Sequence, residues 1–157
     1  LIDNHQLYFN EEIINNSIEI KNKIVLDDKF EQNTRKNLNF GHTIGHALES
    51  YYLNKVNKLT HGEAIAIGMI CESFMSNKIF DLDFELVKKI KNHLLRIFPK
   101  VNLQDENYEE IIKLMSFDKK NHLDKLKFVL LKDLGLVKID TEVSENLIKE
   151  SFDFYLS

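Results

Sequence analysis

The stretch "THGEAIAIGMICESFMSNKIF", residues 60–80, is apolar on nearly every side. A helix without a polar face belongs at the centre of a domain, with other elements packed around it. Thr60 and Glu63 stand at the S/T-x-x-E spacing of a capping box, which places His61 in the first turn. Upstream, "RKNLNFGHTIGHALES" (35–50) predicts a second helix from about Asn39 to Tyr52. Before that, "FNEEIINNSIEIKNKIVLDDKFEQNTRK" (9–36) carries Ile14, Ile18 and Val25 at helical spacing, with Ile13, Ile20 and Ile24 beside them. That pattern predicts a helix with a wide buried face.

Downstream, "DLDFELVKKIKNHLLRIF" (81–98) is amphipathic through Leu86, Ile90 and Leu94 and must stop before Pro99. A short helix follows in "NYEEIIKLMSF" (107–117). The run "KLKFVLLKDLGLVKID" (125–140) is β-rich on both sides of Asp133 and Gly135, as in a hairpin, and "SENLIKESFDFYL" closes with a helix capped by Ser144. With one proline and five glycines in 157 residues, long helices are the default. The fold class is therefore mainly α, one domain over residues 1–157, with one small β-hairpin near residues 126–140. There is no βαβ pattern and no G-x-G-x-x-G fingerprint.

Composition narrows the function. A net charge of -4 leaves no broad nucleic-acid footprint. No apolar run approaches the roughly 20 residues that span a bilayer, and no signal peptide opens the chain. The single cysteine, Cys71, excludes an internal disulfide and reads as a buried small hydrophobe. A cytoplasmic location is expected. The chain starts with Leu in mid-pattern, as a processed chain or part of a longer one would.

The histidines concentrate the chemistry. His42 and His46 are four apart and share a helix face, with Glu49 a further turn along, so one stripe offers two imidazoles and a carboxylate to a divalent metal or an anion. Gly41 and Gly45 cost about 1 kcal/mol each in a helix relative to Ala, which implies close approach by a ligand or by another helix. At a helix N-terminus His61 is biased toward the neutral, metal-binding form. In a plain helical hairpin the starts of successive helices lie at opposite ends. His42 and His61 would then meet only if residues 53–60 run back along the first helix, which an extended stretch of eight residues, about 26 Å long, can manage. Lys21, Asp28 and Arg35 recur every seven residues, as a basic wall or a solvated stripe, and Lys119 and Lys120 read first as surface. His5, His93 and His122 stand alone, apart from the histidine motifs, and are expected to be exposed. H-E-x-x-H, G-x-S-x-G and the zinc-deaminase P-C-x-x-C are all absent.

Taken together, R-x-x-L-N-x-G-H-T-x-G-H-A-x-E (35–49), H-G-E-A-x-A-x-G-M (61–69) and D-K-K (118–120) resemble the 3-dehydroquinate synthase family, over the whole chain and in its helical C-terminal domain. The resemblance implies a carbon–oxygen lyase of the shikimate route, which converts 3-deoxy-D-arabino-heptulosonate 7-phosphate to 3-dehydroquinate and phosphate. It also implies dependence on NAD and on a divalent metal, zinc or cobalt. His42 and His61 become metal ligands, and His46 a catalytic residue near the substrate phosphate. Lys21, Arg35 and Asn39 become substrate contacts, the first two also catalytic, and one of Lys119 and Lys120 another, with Lys120 favoured.

The family's third metal ligand, a Glu, and its N-terminal NAD-binding domain lie upstream of this chain. The chain is therefore expected to be inactive alone, and the full enzyme a homodimer that binds a phosphorylated sugar acid. Alternatives are another sugar phosphate cyclase, a metal-dependent polyol dehydrogenase of the same plan, or a non-catalytic helical module.

Overall fold

The structure, a computed structural model, describes residues 10–103, 107–117 and 126–157. Its chain divides into two compact units, Leu1–Leu38 and Asn39–Ser157.

In the first unit, helix α1 (Glu11–Asp27) begins at Asn10, whose side chain accepts a hydrogen bond from the Glu12 N–H, with Glu11 and Glu12 favourably placed in the first turn. The expected wide buried face is absent: α1 has no buried residue, and Ile18 and Ile20 are 52% and 61% exposed. Apolar periodicity specifies a stripe, but burial needs a second layer, and among the described residues of this unit α1 is the sole α-helix.

The helix also stops sooner than its pattern suggests. Asp28 caps it, and its carboxylate turns the chain by accepting the N–H groups of Gln32 at 3.0 Å, Asn33 at 2.7 Å and Arg35 at 3.1 Å. Glu31 takes the left-handed conformation there, with φ 54°. Lys21, Asp28 and Arg35 therefore do not form one helical stripe. Lys21 is exposed on α1, whereas Arg35 lies in a 3₁₀ segment (Thr34–Asn39).

The Gln32 and Asn33 N–H groups, followed by the Arg35 N–H and charge, hold the Asp28 carboxyl below its ordinary value of 3.8. A depressed folded-state value means that the turn's stabilisation is complete above about pH 3.8 and fades as pH falls through the lower folded value. The backbone amide signals of Gln32, Asn33 and Arg35 should accordingly titrate together below pH 3.8, and Asp28→Asn should abolish that titration. A common midpoint at or above 3.8 would contradict the turn described here.

In the second unit, helix α2 (His42–Tyr52) starts after Gly41, and helix α3 (His61–Phe80) follows. The capping box is present in full: Thr60 Oγ1 accepts from the Glu63 N–H, and Glu63 Oε2 accepts from the Thr60 N–H at 2.7 Å. The Thr60 N–H first, and then the Thr60 hydroxyl, which also donates to Oε2 at 2.7 Å, hold the Glu63 carboxyl below its usual range. As its composition predicts, α3 is the core of the unit, with Ala64, Ile67, Ile70, Cys71 and Met75 at most 3% exposed.

The other elements dress this rod. Helix α4 (Phe84–Ile97), capped by Asp83, ends at Phe98 before Pro99, and helix α5 (Tyr108–Phe117) follows. Strands β1 (Leu126–Asp133) and β2 (Leu136–Val143) form the antiparallel hairpin, Asp133 opposite Leu136, with Gly135 at φ 77° in the turn. Helix α6 (Glu145–Leu156) is capped by Ser144 as expected. Strand β1 is tied to α3 by the Leu131 N–H donating to Ser76 Oγ at 2.8 Å, and α6 by the Cys71 thiol, which donates to the Ser151 carbonyl. Burial of Cys71 raises its thiol pKa, so it is a packing residue.

Candidate functional site

Helix α2 crosses α3 near the start of both. A Cβ on Gly41 would lie 2.6 Å from Met69 Cγ and 2.9 Å from the Ile65 carbonyl oxygen, and one on Gly45 would lie 3.1 Å from Ile65 Cα. From the α3 side, a Cβ on Gly68 would lie 2.0 Å from the Gly41 carbonyl oxygen. Of the two explanations open for the paired glycines, the tight helix crossing is the one observed. Gly41 also sits at φ 84°, so α2 begins at His42 rather than Asn39.

Because the crossing joins the first turn of α2 to the first two turns of α3, the two leading histidines share one side of it. The ring centroids of His42 and His61 are 5.7 Å apart, those of His42 and His46 5.3 Å, and those of His46 and His61 5.9 Å. The opposite-ends objection of a plain hairpin fails because both contact points lie near helix starts. His46 and His61 are exposed and His42 half-buried.

Glu49, one turn beyond His46, approaches His61 Nδ1 to 3.2 Å through Oε2. Ligating atoms of His46, Glu49 and His61 all lie within 4.8 Å of one another. Around a tetrahedral zinc with bonds of about 2.1 Å, ligand atoms sit about 3.4 Å apart, so small side-chain rotations would close this set. Imidazole nitrogen with carboxylate oxygen is also the donor chemistry that zinc and cobalt accept. The residues fit a divalent cation.

One participant escaped the sequence reading. Glu72, fully buried in α3, accepts the Gly41 N–H at 2.6 Å through Oε2. A carboxylate at that point complements the positive end of α2 and fixes the backbone beside His42. The available signal was an acidic residue in the middle of a helix that is apolar nearly all round, well away from the polar residues at its ends.

Of the remaining candidates, Asn39 is half-buried at the start of the second unit. Arg35, in the first unit, donates from Nη1 to the Lys29 carbonyl at 3.0 Å, with Nε 3.8 Å from Glu31. Lys119, Lys120, His5 and His122 lie outside the described residues, and His93 is half-buried on α4 rather than exposed.

The family described as 3-dehydroquinate synthase C-terminal matches residues 2–121. The chain belongs to that family. It is 36% identical to the 3-dehydroquinate synthase of Parabacteroides distasonis over 98% of its own length and 44% of that protein, and 38% identical to the Thermoanaerobacter pseudethanolicus enzyme over 87% and 38%. The chain thus spans less than half the length of these dehydroquinate synthases. Among solved structures it resembles 2-deoxy-scyllo-inosose synthase complexed with carbaglucose-6-phosphate, NAD+ and Co2+, with a TM-score of 0.72 and 30% identity over 88% of this chain and 39% of that one. The fold is therefore that of the dehydroquinate synthase-like cyclases, mainly helical with a two-stranded sheet, as the sequence predicts.

Proposed function

We propose that this chain is the metal- and substrate-binding part of a 3-dehydroquinate synthase, acting on 3-deoxy-D-arabino-heptulosonate 7-phosphate with release of phosphate. The observation that carries the reading is the meeting of His42, His46 and His61 at one helix crossing, on a chain whose relatives in Parabacteroides distasonis and Thermoanaerobacter pseudethanolicus bear that enzyme's name. His42 and His61 would hold the divalent metal, zinc or cobalt. Glu49 stands beside them, and a further carboxylate would come from the part of the enzyme upstream of this chain.

A bound divalent metal would polarise a substrate hydroxyl, whose proton passes to a base, and NAD, held mainly by the upstream part, would be the acceptor for the hydride on the carbon that bears that hydroxyl. His46 faces the substrate phosphate, where an imidazole can donate a hydrogen bond or move a proton. Lys21, Arg35 and Asn39 bind carboxylate, hydroxyls or phosphate, and the planar fork of Arg35 suits a bidentate contact. Lys120, or Lys119 beside it, adds another cation. None of the described helices is long and apolar enough to cross a membrane. The full enzyme is read as a cytoplasmic homodimer on the strength of the family resemblance alone.

A second reading, a cyclase acting on another sugar phosphate, is favoured by the fold match to 2-deoxy-scyllo-inosose synthase. Phosphate release by the protein comprising this chain and its upstream part, supplied with NAD and Co2+, separates the two. Turnover of the heptulosonate phosphate with none of glucose 6-phosphate is expected. The opposite preference would replace the first reading with the second.

A further inference from the structure

His42 and His61 have the same ring nitrogen engaged. Nδ1 of His42 lies 3.2 Å from the Phe40 carbonyl oxygen, and Nδ1 of His61 lies 3.2 Å from Glu49 Oε2. A carbonyl oxygen only accepts hydrogen bonds, and so does a carboxylate. In a neutral ring each Nδ1 must therefore carry the hydrogen, which makes Nε2 the nitrogen with the lone pair. The two acceptors differ in kind. The Phe40 carbonyl is backbone, and its peptide unit is pinned from the other side because the Gly41 N–H of the same unit donates to buried Glu72. Glu49 is a side chain whose position one helix turn past His46 is open to substitution without disturbing the core.

We propose that Glu49 is a positioning residue, which holds the His61 ring by Nδ1 in the Nδ1–H tautomer and so presents the Nε2 lone pair to a divalent cation shared with His42. This rests on the reading of His42 and His61 as the metal-binding pair. Glu49 could reach a cation directly, since its oxygen lies within 4.8 Å of ligating atoms of both His46 and His61. The contact that the structure records is the one to Nδ1, and a carboxylate already accepting that hydrogen is arranged as an outer partner of a histidine ligand.

Two measurements test the assignment. The first is the imidazole nitrogen–proton correlation spectrum of the metal-free 157-residue chain at pH 8, and the second a Co2+ titration, followed by visible absorption, of the protein comprising this chain and its upstream part. Wild type should show His42 and His61 both as Nδ1–H tautomers. Glu49→Ala should release His61 alone, leaving His42 as an internal control, and weaken Co2+ binding by about 10- to 100-fold. Glu49→Gln keeps an oxygen acceptor, so it should retain the tautomer and recover most of the affinity.

An Nε2–H tautomer of His61 in wild type would overturn the proposal. So would a Glu49→Ala variant with tautomer and affinity unchanged. Equal loss of Co2+ in both variants, with the His61 tautomer undisturbed, would make Glu49 a metal ligand instead. If wild type binds no Co2+ while the His61 tautomer still follows residue 49, the metal reading falls and the positioning of the ring stands.

Discussion

Gly68→Ala is expected to destabilise the second unit by more than about 3 kcal/mol, at or beyond the upper end of ordinary overpacking. The added Cβ would sit 2.0 Å from the Gly41 carbonyl oxygen and 2.8 Å from its carbon. Both are backbone atoms, so no rotamer change relieves the clash, and the helices must separate where their packing places the histidines. Gly62→Ala is the matched control. Among the described residues its Cβ would meet only the Phe98 ring, at 3.4 and 3.7 Å, and alanine's better helix propensity should leave stability unchanged or raise it by up to about 1 kcal/mol. Urea denaturation of both variants checks this; a Gly68→Ala midpoint equal to wild type would mean that the crossing is looser than described.

His42→Ala in the complete enzyme should remove bound metal and turnover together. We expect the loss of metal affinity to exceed about 100-fold, the upper bound for outer partners such as the one assigned to Glu49. His42 is half-buried at a helix start, so the fold should survive the change. Elemental analysis of the purified variant beside initial-rate assays would decide the matter. Metal retained at wild-type stoichiometry would place the first ligands elsewhere, with His46, Glu49 and His61 the nearest set of ligating groups among the described residues.

What was legible in the sequence was local or one-dimensional. The Thr60–Glu63 box, the Ser144 cap, the stop before Pro99 and the turn at Gly135 each depend on a few neighbouring residues, and each is where the pattern puts it. The centrality of α3 was legible because no face of it is polar. The misreadings all involve partners far away along the chain or turns that override a period. Gly41 and Gly45 announce a close approach, yet nothing in their spacing says that α3, through Ile65 and Gly68, is what approaches. The isoleucines of α1 specify a stripe without specifying a cover. The seven-residue recurrence of Lys21, Asp28 and Arg35 assumed an unbroken helix, which the Asp28 carboxylate ends by accepting three N–H groups. The meeting of His42 and His61 depends on where two helices cross, and the motif resemblance anticipated it where spacing alone could not.

The Glu72 contact bears on which changes of length the site can absorb. Eleven residues separate His61 from Glu72 on α3, about 16 Å of rigid rise, and these two positions meet the opposite ends of the His42 neighbourhood. The spacing between the imidazoles is thus gauged by a helix, and the connection through residues 53–60 only has to reach. Insertions and deletions in that connection should be well tolerated among relatives. A single residue gained or lost between His61 and Glu72 would turn the carboxylate by about 100° and detach the peptide that steadies His42.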